Sequence, residues 1–195
     1  MDALIEGYRR FRAETWPAQR ARYQALAAAG QRPHTLVVAC SDSRVDPATV
    51  FDAGPGELFV VRNVAALVPP WQPNGGYHGT SAALEFGVRV LGIRRLVVMA
   101  HAQCGGIGAM LHNTPGMAED FVMSWMEIAR DAIRPGLTET DAETAVVRLS
   151  LLNLRTFPGI AAAEATGQLS LAGLRFDIHT GTLSQLGTGG FVPVG

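Results

Sequence analysis

The sequence has 195 residues and a mass of 20.7 kDa, a length typical of a single domain that buries its own hydrophobic core. Hydrophobic residues make up 48% of it and the formal net charge is −1. These values exclude a disordered chain and the strong basic field that attracts nucleic acid or anionic lipid. All 16 basic residues are arginine, which also excludes Schiff-base lysine chemistry and a lysine-dependent phosphate loop.

The amino terminus and the hydropathy pattern show no targeting or membrane signal. Asp2 and Glu6 stand where a signal peptide has basic residues, and no apolar run approaches the ~20 residues of a membrane span. We therefore expect a soluble, cytoplasmic protein with no membrane partner.

The first half of the chain begins with helical sequence and continues with strands. Residues 3–29, rich in alanine and arginine, predict two helices with a kink or break at Trp16-Pro17 and an end at Gly30. Apolar runs predict buried strands over 35–39 and 58–61, each leading into a polar segment. A loop rich in proline and glycine then precedes a predicted helix over 81–91, which Thr80 would cap and Gly92 would end.

The second half alternates strand and helix in the same way. A third strand is predicted over 96–100, followed by a helix after Cys104 and a helical region over about 118–134. Thr140 and Glu143 have capping-box spacing and predict a helix that ends before Pro158. A last strand is predicted over 169–178.

This alternation predicts an α/β fold with a mostly parallel central β-sheet flanked by helices. We expect a single domain over residues 1–195, composed of an N-terminal helical arm over 1–30 and an α/β core over 31–195.

Four potential metal ligands follow the ends of two predicted strands: Cys40, Asp42, His101 and Cys104. Ligands of open α/β sheets bind at the carboxyl ends of the strands, so these side chains can converge there. Two thiolates and an imidazole suit zinc, and three protein ligands leave a fourth position for water, Asp42 or substrate. The pattern predicts a catalytic zinc site.

The two cysteines have other interpretations. Buried cysteine commonly acts as a small hydrophobic residue, and a lone histidine near a strand end is commonly only hydrogen-bonded. A redox pair is a further possibility, although Cys40 and Cys104 form no CxxC motif. The combination of CxDxR at one strand end with HxxC at another favours the metal site. The other histidines lack a partner at ligand spacing and are interpreted as surface or hydrogen-bonded residues: His34, His78, His112 and His179.

Three segments are distinctive: CSDSR at 40–44, GELFVVRN at 56–63 and HAQCGG at 101–106. In order and spacing they resemble the signatures of the beta-class carbonic anhydrases, and the resemblance runs from about Gln31 to Leu186. It implies a zinc enzyme, with one ion per subunit, whose zinc-bound hydroxide hydrates carbon dioxide reversibly to bicarbonate and a proton. It also implies a homodimer or homotetramer in which the N-terminal helices pack on a partner subunit.

The resemblance assigns roles to individual residues. Zinc would be bound by Cys40, His101 and Cys104. Asp42 would pair with Arg44 or, in a closed state that the family visits, bind the metal in place of water. The substrate-binding residues would be Gln31 from the neighbouring subunit, Phe59, Val64 and Gly105. From the residues alone, Gln31 can equally cap the preceding helix, and Phe59 and Val64 can belong to the core.

Three positions distinguish this chain within the resemblance. Members with a regulatory bicarbonate site carry tryptophan and tyrosine where this chain has Val37 and Phe176. We therefore expect that site to be absent, as in the plant-type subgroup, although its arginine counterpart Arg62 is present. Phe86 stands where plant-type members have a tyrosine, so its hydroxyl is missing here.

Two other functions fit the same residues. The fold and ligands also serve hydrolysis of carbonyl sulfide or carbon disulfide, and a noncatalytic zinc or thiol-sensing protein would need only the metal ligands. The pairing of Asp42 with Arg44 argues against a noncatalytic site. Two thiolates cancel the charge of the ion, so we expect hydration activity to rise toward alkaline pH.

Overall fold

A single six-stranded sheet forms the centre of the computed structural model, which describes residues 1–112, 114 and 120–195. The strands lie in the order β2-β1-β3-β4-β5-β6. Their bounds are β1 Thr35–Cys40, β2 Leu58–Asn63, β3 Arg95–His101, β4 Ser170–Phe176, β5 Leu183–Leu186 and β6 Phe191–Pro193. The first four strands pair in parallel, whereas β5 and β6 are antiparallel additions that the sequence did not predict. The predicted α/β fold with a mostly parallel sheet is confirmed.

Eight α-helices accompany this sheet in the part of the chain that the structure describes. They are α1 Asp2–Arg10, α2 Trp16–Ala29, α3 Pro47–Val50, α4 Gly79–Glu85, α5 Gly105–Leu111, α6 Val122–Met126, α7 Glu139–Leu154 and α8 Pro158–Ala165. Short 3₁₀ turns cover Val64–Ala66 and Glu127–Ala129. None of these described helices is both long and apolar enough to span a bilayer.

Both faces of the sheet are covered, as the continuous apolar strand sequences require. Along β1, Leu36 and Val38 belong to one hydrophobic cluster, while Val37 and Ala39 belong to another on the opposite face. Successive side chains of a strand point to opposite faces, so a run of apolar residues without polar alternation needs cover on both sides. The core therefore holds β1 rigidly up to its last residue, Cys40.

The N-terminal helices differ from the predicted pair with a break at Trp16-Pro17. The chain stays helical through that point, and a π-helical stretch over Phe11–Thr15 joins α1 to α2. Proline lacks the N–H that an α-helix would use, and a wider turn just before Pro17 accommodates this loss. No residue of α1 or α2 is buried.

Helix α2 contacts the turn that precedes β2. The guanidinium of Arg22 donates to the carbonyl oxygen of Pro55 at 2.6 Å and to Glu57 at 2.8 Å. Gly56 has a φ of 81°, and a Cβ there would lie 2.7 Å from Leu26, so glycine satisfies both the turn and the close approach of the helix.

Two predicted caps are wrong. Thr80 lies inside α4, which begins at Gly79, and its hydroxyl accepts a hydrogen bond from Asn63. Helix α7 is capped by Thr138, whose hydroxyl accepts from the backbone N–H of Asp141, and not by Thr140 with Glu143. Glu143 is instead buried, with its carboxylate facing the loop after β3. Local spacing cannot separate these two uses of a glutamate.

Two further predictions differ in extent. The helical region predicted over 118–134 comprises only α6 and the 3₁₀ turn over Glu127–Ala129, and its start at 118–119 lies outside the described residues. The helix predicted over 81–91 begins two residues earlier and ends in a π-helical stretch, Phe86–Val90, before Gly92. Gly92 has a φ of 67°, so its predicted role at the helix end is confirmed.

Gly173, in the middle of β4, packs closely against Val147 of α7. A Cβ at this position would lie 2.5 Å from Val147 and 3.2 Å from Leu186. We expect Gly173→Ala to lower the free energy of unfolding by about 1–3 kcal/mol through overpacking, measured by chemical denaturation. Gly159→Ala is the matched control, because a Cβ there meets nothing within 4 Å in helix α8. Equal stability of the two variants would contradict this packing argument.

Candidate metal centre

The group Cys40, His101 and Cys104, called here the three-ligand group, lies at the carboxyl edge of the sheet. Strands β1 and β3 are hydrogen-bonded neighbours, so Cys40 at the end of β1 meets His101 at the end of β3. The Sγ atoms of Cys40 and Cys104 are 3.9 Å apart, and one ligand atom from each of the three residues lies within 4.8 Å of the others. All three side chains are buried.

His101 has one ring nitrogen committed and one without a partner. Its Nδ1 lies 2.8 Å from the carbonyl oxygen of Ala102, which can only accept, so Nδ1 carries the proton and donates. This leaves Nε2 as a lone-pair donor directed toward the sulfurs. Among the buried side-chain nitrogen and oxygen atoms of the described residues, Nε2 alone lacks a hydrogen-bond partner. Such an orphaned atom is costly unless something binds it.

The two sulfurs are electrostatically coupled. The Cys104 thiol bonds to Cys40 and lowers the pKa of the Cys40 thiol, whereas the same contact and burial raise the pKa of Cys104. Without a cation the pair therefore holds one proton, since two adjacent thiolates repel. Backbone N–H groups of Ala65 and Gly106 also face these sulfurs and favour their charged forms. A divalent cation would supply the remaining charge that two thiolates need.

Asp42 lies beside the group and is bound by Arg44. The backbone N–H and Nε of Arg44 donate to Oδ1 at 2.9 and 3.0 Å, and Nη2 donates to Oδ2 at 2.7 Å. These bonds hold the pKa of the Asp42 carboxyl well below its usual range. Oδ2 is 3.8 Å from Nε2 of His101, but Asp42 is not part of the three-ligand group in this structure.

Arg62 fastens the loop between Cys40 and Asp46. Its guanidinium donates to the carbonyl oxygens of Cys40 at 2.9 Å and Asp42 at 2.6 Å, and it lies 3.5 Å from the Asp46 carboxylate. Val37 and Phe176, at the other two positions of the regulatory site, are a buried core residue and a half-buried residue packed near Cys40. In this chain Arg62 therefore stabilises the conformation of the loop.

Three residues in the segments that adjoin the group have strained backbone conformations. Ala65, Ala66 and Gln103 have φ values of 65°, 53° and 55°, in the left-handed region that residues other than glycine rarely adopt. Strain of this kind persists only where neighbouring contacts enforce it, and it concentrates at functional sites. The backbone N–H of Ala65 faces the sulfur of Cys40, and Gln103 lies between the two ligands His101 and Cys104 in the sequence.

The predicted substrate-binding residues divide into two sets. Val64 packs in the cluster that contains Cys40 and Cys104, and exposed Gly105 opens α5 directly after Cys104. Phe59 pairs with Leu36, four residues before the Asn63–Cys40 pair, or about 13 Å along the strand. Gln31 is exposed and precedes β1, at the opposite end of that strand from Cys40. Neither Phe59 nor Gln31 is therefore beside the three-ligand group of its own chain.

Two supporting residues were not predicted from the sequence. Trp125 donates its indole N–H to the carbonyl oxygen of Val64 at 2.9 Å. Glu143, interpreted from spacing as a helix cap, accepts a hydrogen bond from the backbone N–H of Gln103 at 3.1 Å. Neither contact has a local sequence signal, because the partners are 61 and 40 residues apart.

The three-ligand group fits zinc. Two thiolates with one imidazole nitrogen form a donor set that zinc prefers, and the buried, unpartnered Nε2 is directed toward the same volume as the sulfurs. The fixed Nδ1 proton gives His101 the tautomer that ligation requires. Three protein ligands leave a further coordination position open, which is typical of catalytic and not structural zinc sites.

The fold and this donor set are those expected of a metalloenzyme built on an α/β sheet, and comparison with known proteins identifies the family. The family described as carbonic anhydrase matches residues 35–183. A carbonic anhydrase of Pseudomonas aeruginosa is 36% identical over 195 residues, covering 95% of this chain and 87% of the relative. The chain belongs to the carbonic anhydrase family, and its fold places it in the beta class.

Solved structures agree with this assignment. The beta-carbonic anhydrase CcaA superposes with a TM-score of 0.88 at 28% identity, covering 100% of this chain and 99% of that one. Tetrameric beta-carbonic anhydrases from Sordaria macrospora give a TM-score of 0.67 at 26% identity, covering 98% of this chain and 99% of theirs. The similarity extends over the whole sheet and its helices, and it confirms the family that the sequence motifs resemble.

We expect the protein to bind one zinc ion per chain and His101→Gln to weaken zinc binding. The loss should exceed the about 10–100-fold loss seen when a residue that only supports a metal ligand is changed. Competition with a chromogenic chelator measures the affinity. His179→Gln is the matched control, because His179 is an exposed histidine in a turn. Equal zinc affinity in the two variants would remove His101 from the ligand set.

Proposed function

We propose that this protein catalyses the reversible hydration of carbon dioxide to bicarbonate and a proton, with one zinc ion per subunit held by Cys40, His101 and Cys104. The observation that carries the proposal is the unpartnered Nε2 of buried His101, facing two cysteine sulfurs beside the paired Asp42 and Arg44. A zinc site that only stabilises the fold has no need of such a carboxylate–guanidinium pair.

Zinc bound here would supply a Lewis acid that makes water nucleophilic, and because two thiolates offset the charge of the ion, this activation would need a more alkaline pH than with three neutral imidazole ligands. The residues of the chain provide the surroundings for this chemistry. Arg44 keeps Asp42 ionised and held away from the three-ligand group, so a coordination position stays available for water and substrate. Because Oδ2 lies 3.8 Å from Nε2 of His101, a released Asp42 can enter the group and close the site.

Val64 and Gly105 form the substrate side of the site within one chain in this proposal. Val64 offers an apolar wall suited to a small nonpolar molecule, and its position is secured by the bond from Trp125. Gly105 carries no side chain at the mouth of the site, where a Cβ would meet open space. Val64 thus suits a nonpolar substrate, and Gly105 leaves access to the site unobstructed.

Gln31 and Phe59 are proposed to complete the pocket of a neighbouring subunit. Their distance from the three-ligand group of their own chain supports this arrangement. Helix α1 also leaves apolar side chains uncovered, with Leu4 75% and Tyr8 60% exposed, and β2 is an edge strand of the sheet. These surfaces, with the tetrameric structures from Sordaria macrospora, support a homodimer or homotetramer.

Stopped-flow hydration of carbon dioxide by zinc-loaded protein at about pH 8.5 tests the function. We expect catalysis well above the buffer rate, and loss of that catalysis together with zinc in Cys104→Ser, because this variant removes one of two thiolate ligands. His179→Gln again serves as the control and should keep both activity and zinc. A folded wild-type protein with one zinc per chain but no hydration would refute the proposal, and assay with carbonyl sulfide would then test the sulfur substrates.

Arg44→Ala is expected to reduce hydration about 10- to 100-fold with zinc content unchanged. The variant removes the charge-assisted hydrogen bonds that Arg44 donates to the Asp42 carboxylate, and it frees Asp42 to occupy the site. Arg44→Lys is the informative companion, because a single ammonium cannot grip both carboxylate oxygens and should restore only part of the rate. A wild-type rate in Arg44→Ala would exclude the role given to this pair.

A further inference from the structure

The loop that carries two of the three ligands, residues 101–104, depends on a buried carboxylate from a distant helix. Gln103 separates His101 from Cys104 and has a φ of 55°. This conformation is unfavourable for glutamine, so the loop needs outside contacts to hold it. Both the backbone N–H and the carbonyl oxygen of Gln103 form such contacts.

The backbone N–H of Gln103 donates to Oε1 of Glu143 on α7 at 3.1 Å. The carbonyl oxygen of Gln103 accepts from Nη2 of Arg44 at 3.2 Å, and the same Nη2 donates to Asp42 at 2.7 Å. Gln103 is therefore held between a carboxylate on one side and the Asp42–Arg44 pair on the other. A shift of this one residue would change both the separation of His101 from Cys104 and the support of Arg44.

Glu143 is itself fixed by a counter-ion. Its side chain is 2% exposed, and Oε2 accepts from Nε of Arg175 on β4 at 2.5 Å. Arg175 also lies 3.4 Å from the carboxylate of Asp177. Burial raises the pKa of Glu143, while Arg175 and the N–H of Gln103 favour its charged form. A buried carboxylate is costly, and this cost is offset only because both oxygens have partners.

We propose that Glu143, oriented by Arg175, is a positioning residue that holds the 101–104 loop in the geometry needed for His101 and Cys104 to bind one metal ion and for Arg44 to grip Asp42. The inference rests on the proposed zinc site and extends it to two residues on α7 and β4. Neither residue forms a hydrogen bond with a ligand atom, and the hydrogen bond that links Glu143 to the loop is the one from the backbone N–H of Gln103.

Zinc release and the cobalt spectrum test this role without relying on activity. In Glu143→Met, which keeps the side-chain length but removes the acceptor, we expect zinc transfer to a chelator at least about tenfold faster than in wild type. The absorption bands of the cobalt-substituted variant should also change, because they report ligand geometry. Glu143→Gln keeps one acceptor oxygen for the N–H of Gln103 but puts an amide NH2 opposite Arg175, so its release rate should lie between those of wild type and Glu143→Met.

The exposed pair Arg155–Glu164 provides the matched control. Its two hydrogen bonds, at 2.9 and 2.8 Å, have the same chemistry but lie on the surface between α7 and α8. Glu164→Met should leave zinc release and the cobalt spectrum unchanged. If folded Glu143→Met behaves like Glu164→Met in both measurements, the buried pair only stabilises the fold and the proposal is overturned.

A second variant covers the case in which Glu143→Met does not fold. Arg175→Met leaves Glu143 in place but removes the counter-ion that orients it, and we again expect faster zinc release. Release at the wild-type rate would overturn the proposal. The result is independent of the proposed reaction: wild-type protein that binds zinc but fails to hydrate carbon dioxide would refute the function and leave these zinc measurements interpretable.

Discussion

The burial of two cysteine sulfurs and an imidazole in one small volume is the constraint on which the rest of the structure depends. Two thiolates 3.9 Å apart repel each other, which disfavours the ionisation of both cysteines without a cation, and the buried Nε2 of His101 has no hydrogen-bond partner in the protein. The parallel pairing of β1 with β3 brings these groups together, since it places Cys40 and His101 at neighbouring strand ends. The fold therefore favours the binding of a metal ion at that edge of the sheet.

The loops after these strands are held mainly by arginine. Arg62 binds carbonyl oxygens around Cys40 and Asp42, Arg44 binds Asp42 and the carbonyl of Gln103, and Arg175 binds Glu143. A guanidinium has several donors in a rigid plane, so one side chain can bind two or three acceptors at fixed angles. A lysine ammonium would act as a single point charge. The chain contains no lysine, and arginine side chains supply these stabilising hydrogen bonds around the site.

In the proposed assembly, the direction of the strands determines which residues each subunit contributes to a pocket. Metal ligands lie at the carboxyl ends of the central strands, whereas Phe59 and Gln31 lie toward the amino ends of β2 and β1. A single chain cannot bring both ends of the same strands to one pocket. A second copy can, and the uncovered apolar side chains of α1 and the free edge of β2 are surfaces through which it could pack.

The sequence by itself determined the class of fold, the strands that carry the ligands, and the ligand types. Continuous apolar runs that end in CSDSR and HAQC indicate buried parallel strands with chemistry at their carboxyl ends, and this information is local. The roles of Glu143, Arg175 and Trp125, the antiparallel strands β5 and β6, and the cap at Thr138 were decided by tertiary structure. Glu143 shows the reason: its spacing from Thr140 satisfies a capping rule, yet packing of α7 against β3 and β4 buries its carboxylate next to a backbone N–H 40 residues away. Local patterns record which conformations and ligands are possible, but contacts between distant residues determine which of them are made.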